Sequence, residues 1–341
     1  MSTDALFLVG NSKGGTLTTV RISDNELIRV GEVAVGVGCS TFAVDAERGV
    51  VHVAVKQPSP AIVTLRIDPR GGQHEELSRR EVDDELAYLD LSPRGHMLLA
   101  ASYNGGWGAS FAVVDGVVGE ETGRVEGRNM HASLFDPEGH NAYFVSLGED
   151  HIAQFAVTST AGLTPLSEPV VRHSAGSGPR HLTFSKDGRN AYLLTEFTGE
   201  AVRYERGDSG RLTRKEEVPA YDLTRGLRTS SFGADPLEGH LIWGADLELA
   251  GGERWLVCSE RTESTIGAVH VQPDGSLSGP VVITDTETQP RGLRVSPDGD
   301  HVVVVGERSN HASLYQVYDD GKLVLQSQLE TGEGPNWVRF L

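Results

Sequence analysis

The chain has 341 residues, a length that fits either a few small domains or one large all-β ring. With 48 Asp and Glu residues against 30 Lys and Arg residues, its formal net charge is −18. So acidic a chain disfavours nucleic acid and anionic membrane surfaces as partners. An anionic small molecule is still compatible with this charge, provided that arginines cluster in one pocket.

The N-terminal segment and the cysteines bear on where the protein acts. Residues 1–4 lack a basic region, and the apolar stretch 5–10 is too short for a secretory signal or a membrane span. Cys39 and Cys258 are the two cysteines of the sequence, and two well-separated cysteines in a chain of this size do not make a disulfide framework. We therefore expect a cytoplasmic protein with reduced thiols and no membrane partner.

A short apolar strand, a turn and a second apolar strand recur along the chain. The clearest turns lie at residues 91–95, 135–139, 184–188 and 295–299. Glycine in such a turn takes the position that needs a positive φ, and proline presets the first corner. With two weaker copies, the turn glycines are Gly49, Gly95, Gly139, Gly188, Gly252 and Gly299. Most are 44 to 49 residues apart, which is the length of a propeller blade, and the one longer gap predicts an insertion over residues 221–244.

A second hairpin recurs between these turns, with its glycine followed closely by leucine. Its turn glycines are Gly162, Gly210, Gly275 and Gly321. Two hairpins make a four-stranded blade, and the 41 glycines and 15 prolines leave no room for long helices. Residues 334–341 resemble a first strand without a second, and residues 5–10 resemble the missing second strand.

We therefore predict an all-β, seven-bladed β-propeller with four antiparallel strands per blade. Residues 1–341 form a single domain, and the last blade is shared between residues 1–35 and 334–341. Pairing the N- and C-terminal strands in this blade closes the ring and removes an exposed sheet edge.

Candidate functional residues follow from this geometry. In each blade the start of the first strand and the end of the second strand open on the same face of the ring. The polar residues at these positions are Tyr103, Asn104, His131, Arg180, His181, Glu196, Asp246, Glu260, Arg261, Gln289, Arg291, Glu307, Arg308 and Asn336. Arginines, carboxylates and histidines around one funnel suit an anionic ligand. The same residues could instead have a purely structural role and tie neighbouring blades together. Those exposed on the rim could also be without a role, because exposed ion pairs contribute little to stability. No metal-ligand spacing and no phosphate-binding glycine loop stands out, so we predict neither a metal nor a cofactor.

Several of these residues carry a family resemblance that spans nearly the whole chain. It is densest in the segments Gly178-Pro179-Arg180-His181, Thr195-Glu196-Phe197, Cys258-Ser259-Glu260-Arg261-Thr262, Thr286-Glu287-Thr288-Gln289-Pro290-Arg291-Gly292 and Gly334-Pro335-Asn336-Trp337-Val338. These segments resemble the bacterial propeller-type 6-phosphogluconolactonases, within the larger lactonase family that includes fungal carboxymuconate-cyclising enzymes. Glu260 and Phe197 depart from the residues more usual in the family, without changing the expected chemistry.

The resemblance implies a hydrolase of the pentose phosphate pathway that converts 6-phospho-D-glucono-1,5-lactone to 6-phospho-D-gluconate. The lack of metal-ligand spacing predicts that this hydrolase is metal-independent. It implies four catalytic residues, namely His131, Arg180, Glu196 and Arg261. The other pore-mouth residues predicted to bind substrate are Asn104, His181, Asp246, Gln289, Arg291, Arg308 and Asn336. Lactone opening needs a base, a group for the oxyanion and an acid. Either His131 or Glu196 could be the base, and histidine is favoured because its ordinary pKa is about 6.5. Arg291 or Arg308 is the candidate to bind the phosphate group of the substrate.

Other functions fit part of the same pattern. A carboxymuconate-type cycloisomerase would use the same four residues, with a pocket fitted to a tricarboxylate. A lactonase for another anionic aldonolactone, including a sulfonated sugar, is a further alternative. A non-catalytic interaction propeller is less favoured, because only 6% of the residues are aromatic. The expected partner is thus a small anionic sugar lactone, bound by a monomer or a weak homo-oligomer.

Overall fold

The computed structural model of the protein describes residues 5–68 and 74–341 and consists of seven four-stranded antiparallel sheets. The closing blade contains β28 (Pro335–Phe340), β1 (Ala5–Asn11), β2 (Thr16–Ser23) and β3 (Glu26–Ala34). Blade 1 contains β4 (Phe42–Asp45), β5 (Val50–Val55), β6 (Ala61–Arg66) and β7 (Glu75–Glu81). Blade 2 contains β8 (Tyr88–Leu91), β9 (Met97–Ser102), β10 (Trp107–Val114) and β11 (Val117–Glu126).

The remaining four blades follow in chain order. Blade 3 contains β12 (Met130–Phe135), β13 (Asn141–Ser146), β14 (His151–Val157) and β15 (Leu163–Arg172). Blade 4 contains β16 (Pro179–Phe184), β17 (Asn190–Thr195), β18 (Glu200–Arg206) and β19 (Leu212–Pro219). Blade 5 contains β20 (Gly244–Ala250), β21 (Trp255–Glu260), β22 (Thr265–Val271) and β23 (Leu277–Asp285). Blade 6 contains β24 (Pro290–Val295), β25 (His301–Gly306), β26 (His311–Val317) and β27 (Leu323–Glu330). The predicted all-β seven-bladed propeller is therefore confirmed.

The predicted turns join the first two strands of the blades. In the four clearest turns the glycine N–H donates to the carbonyl three residues earlier, as from Gly139 to Asp136 at 2.9 Å and from Gly299 to Ser296 at 2.8 Å. Gly139 has a φ of +73°, a conformation that glycine adopts without steric cost. The predicted insertion lies between β19 and β20. It contains one turn of 3₁₀ helix (Leu223–Arg225) and a one-turn helix α1 (Pro236–Gly239). No helix among the described residues is long and apolar enough to cross a bilayer.

Burial follows the position of a strand in its blade. Five of the seven second strands, including β13 and β25, are buried at every residue because neighbouring blades cover both of their faces. The outermost strands are more exposed, and β19 alternates between exposed and less exposed residues because one of its faces meets solvent. The continuous valine run 302–305 in β25 is typical of a strand covered on both faces, and each of its side chains is fully buried.

The ring closes through β28 and β1, as predicted. Val9 pairs with Val338 and Phe7 pairs with Phe340 in an antiparallel ladder. Val338 packs in a buried cluster with Phe7, Val9 and Val305, which joins the closing blade to blade 6. Residues 1–4 of the segment assigned to this blade lie outside the described residues.

The ring closure gives a stability prediction. Val338→Asp places a carboxylate at a side chain that is 1% exposed, without a cationic partner in its cluster. Leaving a buried charge unpaired costs about 3–5 kcal/mol, so we expect a large loss in thermal stability or failure to fold. Val324→Asp is the matched control, because Val324 is 42% exposed on the outermost strand β27. Equal melting temperatures for the two variants would contradict this account of the closure.

Candidate active site

The innermost strands carry a recurring irregularity at their first residues. In five blades the pairing with the second strand shifts register near the start of the innermost strand. In blade 4, for example, Pro179 pairs with Thr195 and His181 with Leu194, so Arg180 is left out of the ladder. A bulged residue is turned out of the regular alternation and its side chain is re-aimed. The residues skipped in this way are His131, Arg180, Ala245 with Asp246, Arg291 and Asn336.

Four of these bulges share a local motif. The residue two positions before the bulged residue has a positive φ, of 53° to 68°. These left-handed residues are Asn129, Gly178, Gln289 and Gly334. Each of their carbonyls accepts a hydrogen bond from the N–H just past the end of the second strand, as Gly178 does from Glu196 at 2.6 Å. The motif therefore fixes the start of one strand and the end of the next at the same mouth of the ring.

A cavity of about 510 Å³ lies at this mouth and draws residues from all seven blades. The structure brings the four predicted catalytic residues together in its wall. Of the predicted substrate-binding residues, those that line it are Asn104, His181, Arg291 and Asn336.

A carboxylate between two buried guanidinium groups forms one wall. Arg180 Nε donates to Glu196 Oε2 at 2.9 Å, and Arg261 Nη2 lies 3.1 Å from the same oxygen. Arg261 also donates to the carbonyl of Gly244 at 2.8 Å and stacks over the Trp243 ring, 4.0 Å from its centroid. These contacts hold both cations in fixed positions.

The charges in this wall shift one another's pKa values. Burial alone would raise the pKa of Glu196, but the guanidinium groups of Arg261, Arg180 and Arg291 outweigh burial and hold its pKa below the ordinary value. Burial lowers the pKa of Arg261 to about 9, which still leaves it protonated at neutral pH. Glu196 is therefore ionised at neutral pH and committed to the two arginines.

His131 contrasts with Glu196 because it has no such partners. Its side chain is 7% exposed, and its Nδ1 is buried without a hydrogen-bond partner among the described residues. Its ring lies edge-on to Tyr103 and His181, at centroid distances of 5.6 Å and 5.1 Å. Burial, with the positive charge of Arg180 second, lowers its pKa well below the ordinary value. His131 is therefore a neutral imidazole at the cavity surface.

His181, which lines the cavity, forms a dyad with Asp246, which does not. His181 Nδ1 lies 2.7 Å from Asp246 Oδ1, and the two carboxylate oxygens also accept from the N–H groups of Leu247 and Leu293. Because the carboxylate accepts, Nδ1 carries the proton, and Nε2 is left to accept from Arg180 Nη1 at 3.2 Å. Burial lowers the pKa of His181 well below its ordinary value, so this ring is also neutral.

Three residues predicted to bind substrate do not line the cavity. The carboxylate of Asp246 lies under His181, where backbone donors occupy it. Gln289 is buried behind Glu307, with its Nε2 3.4 Å from Glu307 Oε2. Arg308 is exposed in the turn after β25, where its neighbour Glu307 takes the position facing the cavity. Arg308 therefore lies outside the cavity wall in which the phosphate group was predicted to bind.

Two lysines in the cavity wall are not among the residues predicted from the sequence. Lys13 follows β1 and Lys56 follows β5, so both lie just past the end of a second strand. Their position at the end of a second strand is the one that Glu196 and Glu307 occupy in blades 4 and 6. Across the described ranges, no group of three or more His, Cys, Asp or Glu side chains is arranged to hold a metal ion.

Fold and site together define a β-propeller with an arginine-rich ligand cavity at one mouth, and the comparison with known families agrees. The family described as "Lactonase, 7-bladed beta-propeller" matches residues 6–340, so the chain belongs to this family.

Individual relatives are distant but span most of the chain. A 6-phosphogluconolactonase from Serratia proteamaculans is 28% identical over 307 residues, which cover 88% of this chain and 87% of the relative. One from Cronobacter sakazakii is 26% identical, over 95% of this chain and 91% of the relative. Among solved structures, a periplasmic gluconolactonase from Pseudomonas aeruginosa superposes with a TM-score of 0.87 at 22% identity, over 99% of each chain. The last likeness concerns the fold alone.

The site makes a prediction that needs no substrate. We expect the imidazoles of His131 and His181 to stay neutral as the pH is lowered from 7 through 6.5, because burial opposes their protonation. Histidine ¹⁵N NMR across a pH titration measures this, and His131→Gln assigns its resonances by their loss. His181 should show the tautomer with the proton on Nδ1. Protonation of His131 at or above pH 6.5 would contradict the described environment.

Proposed function

We propose that the protein hydrolyses the ring ester of a sugar δ-lactone, with 6-phospho-D-glucono-1,5-lactone as the leading substrate. The observation that carries this proposal is a neutral His131 that lines the same cavity as two guanidinium groups held by Glu196. Membership of the lactonase family and the names of the bacterial relatives support the same reaction class.

The first step joins a water oxygen to C1 of the lactone. His131 accepts a proton from this water at Nε2, since the ring is unprotonated and its Nδ1 is buried away from solvent. Negative charge then develops on the carbonyl oxygen. The fixed cations Arg180 and Arg261 stabilise that charge, and they need little rearrangement to do so because Glu196 and backbone carbonyls already hold them.

The second step breaks the bond between C1 and the ring oxygen. The imidazolium of His131 returns its proton to the departing oxygen, which leaves a hydroxyl group and a carboxylic acid that ionises. The lowered pKa favours this donation, and the proton that the ring gives up is the one that it took from water in the first step. Glu196 is ionised and cannot donate a proton, so we assign it the role of positioning the arginines. His131 is thus assigned as the base and Glu196 as a positioning residue, whereas from the sequence either residue could be the base.

Other parts of the proposal concern the setting of the reaction. We infer action in the pentose phosphate pathway without a metal ion, in the cytoplasm, by a monomer or a weak homo-oligomer. Cys39 and Cys258 are both buried and unpaired, which is compatible with a reducing compartment. These points stay predictions.

The reaction is tested with a panel of lactones. Acid release is followed for 6-phospho-D-glucono-1,5-lactone, D-glucono-1,5-lactone and a carboxymuconolactone, each corrected for unaided hydrolysis. The phosphorylated lactone should be opened fastest. No rate above the unaided reaction for any member would overturn the proposal, and a preference for the carboxymuconolactone would favour the cycloisomerase class.

The role of His131 is tested with His131→Gln, which keeps a polar side chain but cannot act as a base. We expect a loss of about 100-fold or more in kcat, the usual contribution of a positioned acid–base group. The matched control is His140→Gln in the same blade, because His140 is exposed in the turn before β13 and lies outside the cavity. Near-normal turnover in His131→Gln would end the assignment.

A further inference from the structure

The cavity has a second cationic wall, formed by Lys13 and Lys56. Arg180 and Glu196 belong to blade 4, while Lys13 belongs to the closing blade and Lys56 to blade 1. In a ring of seven units, the closing blade and blade 1 lie directly opposite blade 4. The two lysines therefore lie across the cavity from the wall that contains Arg180, Glu196 and Arg261, which we call the arginine wall.

Loops from two blades hold this lysine wall together. The N–H of Gly38 donates to the carbonyl of Ser12 at 2.8 Å, and the N–H of Lys56 donates to the carbonyl of Val37 at 2.9 Å. Gly38 has a φ of +83°, and a Cβ added there would lie 2.5 Å from Cβ of Lys56. The absence of a side chain at Gly38 thus lets Lys56 pack against this loop. The stem of Lys13 packs in the same way on Gly334, where an added Cβ would lie 2.7 Å from Cγ of Lys13.

The lysine wall holds positive charge that the protein itself leaves partly unmatched. The Nζ of Lys56 lies 2.5 Å from Glu85 Oε2, which within the described part of the chain leaves two of its three N–H donors available. Lys13 forms no ion pair with any carboxylate in the ranges 5–68 and 74–341. The arginines across the cavity differ, since each of them contacts Glu196 or Glu307. In a protein of net charge −18, this wall is a local site for an anion.

We propose that Lys13 and Lys56 bind a phosphoryl group carried by the substrate at the end remote from the lactone carbonyl. This inference rests on the proposed lactonase function, which places the carbonyl at the arginine wall. Ammonium groups act as compact point charges with freely turning donors, which suits a tetrahedral phosphoryl group. A cavity of about 510 Å³ is large enough to hold a phosphorylated six-carbon sugar between the two walls.

Binding of the reaction product tests this site apart from catalysis. Calorimetry with 6-phosphogluconate and with gluconate is compared for wild type, Lys13→Gln, Lys56→Gln and the double variant. Each single substitution should weaken 6-phosphogluconate binding by about tenfold, since a hydrogen bond to a charged group is lost, and leave gluconate binding unchanged. Lys186→Gln is the matched control, because Lys186 is exposed in the turn after β16 and outside the cavity.

Kinetics on the two sugar lactones complete the test. The lysine variants should raise KM for the phosphorylated lactone by a similar factor, with kcat within about twofold, as expected when binding far from the reacting bond is lost. Unchanged binding of 6-phosphogluconate in the double variant, or equal weakening of both acids, would overturn the phosphoryl site. Lysine-dependent binding without any lactone hydrolysis by wild type would instead overturn the proposed function and leave the phosphoryl site standing.

Discussion

The site depends on one backbone feature, the bulge at the start of the innermost strand. Side chains along a strand alternate between two faces, and in a propeller both faces are covered by neighbouring blades. A regular strand would therefore direct Arg180 into the contact between blades. The extra residue in the register between Pro179 and His181 lets the rest of β16 keep its buried pattern while Arg180 turns to the cavity. The same device serves His131, Arg291 and Asn336 in other blades.

Electrostatic pairing explains why the collected residues take different roles. Burying two arginines is costly unless a carboxylate compensates them, and Glu196 supplies that carboxylate to both. The paired cations then keep a positive potential beside His131, which adds to burial in opposing its protonation. The wall is thus a preorganised site for developing negative charge, next to a base that is not already charged. Removing Glu196 would disturb the arginines and His131 together.

Much of the fold was predictable because the chemistry of its turns is local. The glycine turns at Gly95, Gly139 and Gly188 mark blade after blade, and the apolar ends of the chain predict the closing strands. The bulges were not predictable from periodicity alone. In hindsight their sequence signal is the left-handed residue two positions earlier, as in Gly178-Pro179-Arg180 and Gln289-Pro290-Arg291.

The sequence was less informative about which neighbouring side chain reaches the cavity. Glu307 lines it while Arg308, the next residue, is exposed, because adjacent residues in a turn point in different directions. Asp246 was chosen for its position at a strand start, but its carboxylate is taken up by His181 and two backbone N–H groups. Such pairing depends on residues distant along the chain. Lys13 and Lys56 lie outside the segments that carry the family resemblance, and their position just past a second strand is their one signal in the sequence.

A crystal structure with 6-phosphogluconate bound would test the central claim most directly, because it shows both ends of the ligand at once. We expect the carboxylate within hydrogen-bond distance of Arg180 or Arg261 and beside His131, with the phosphoryl group against Lys13 and Lys56. A ligand bound outside this cavity, or one whose carboxylate lies far from His131 and the two arginines, would contradict it.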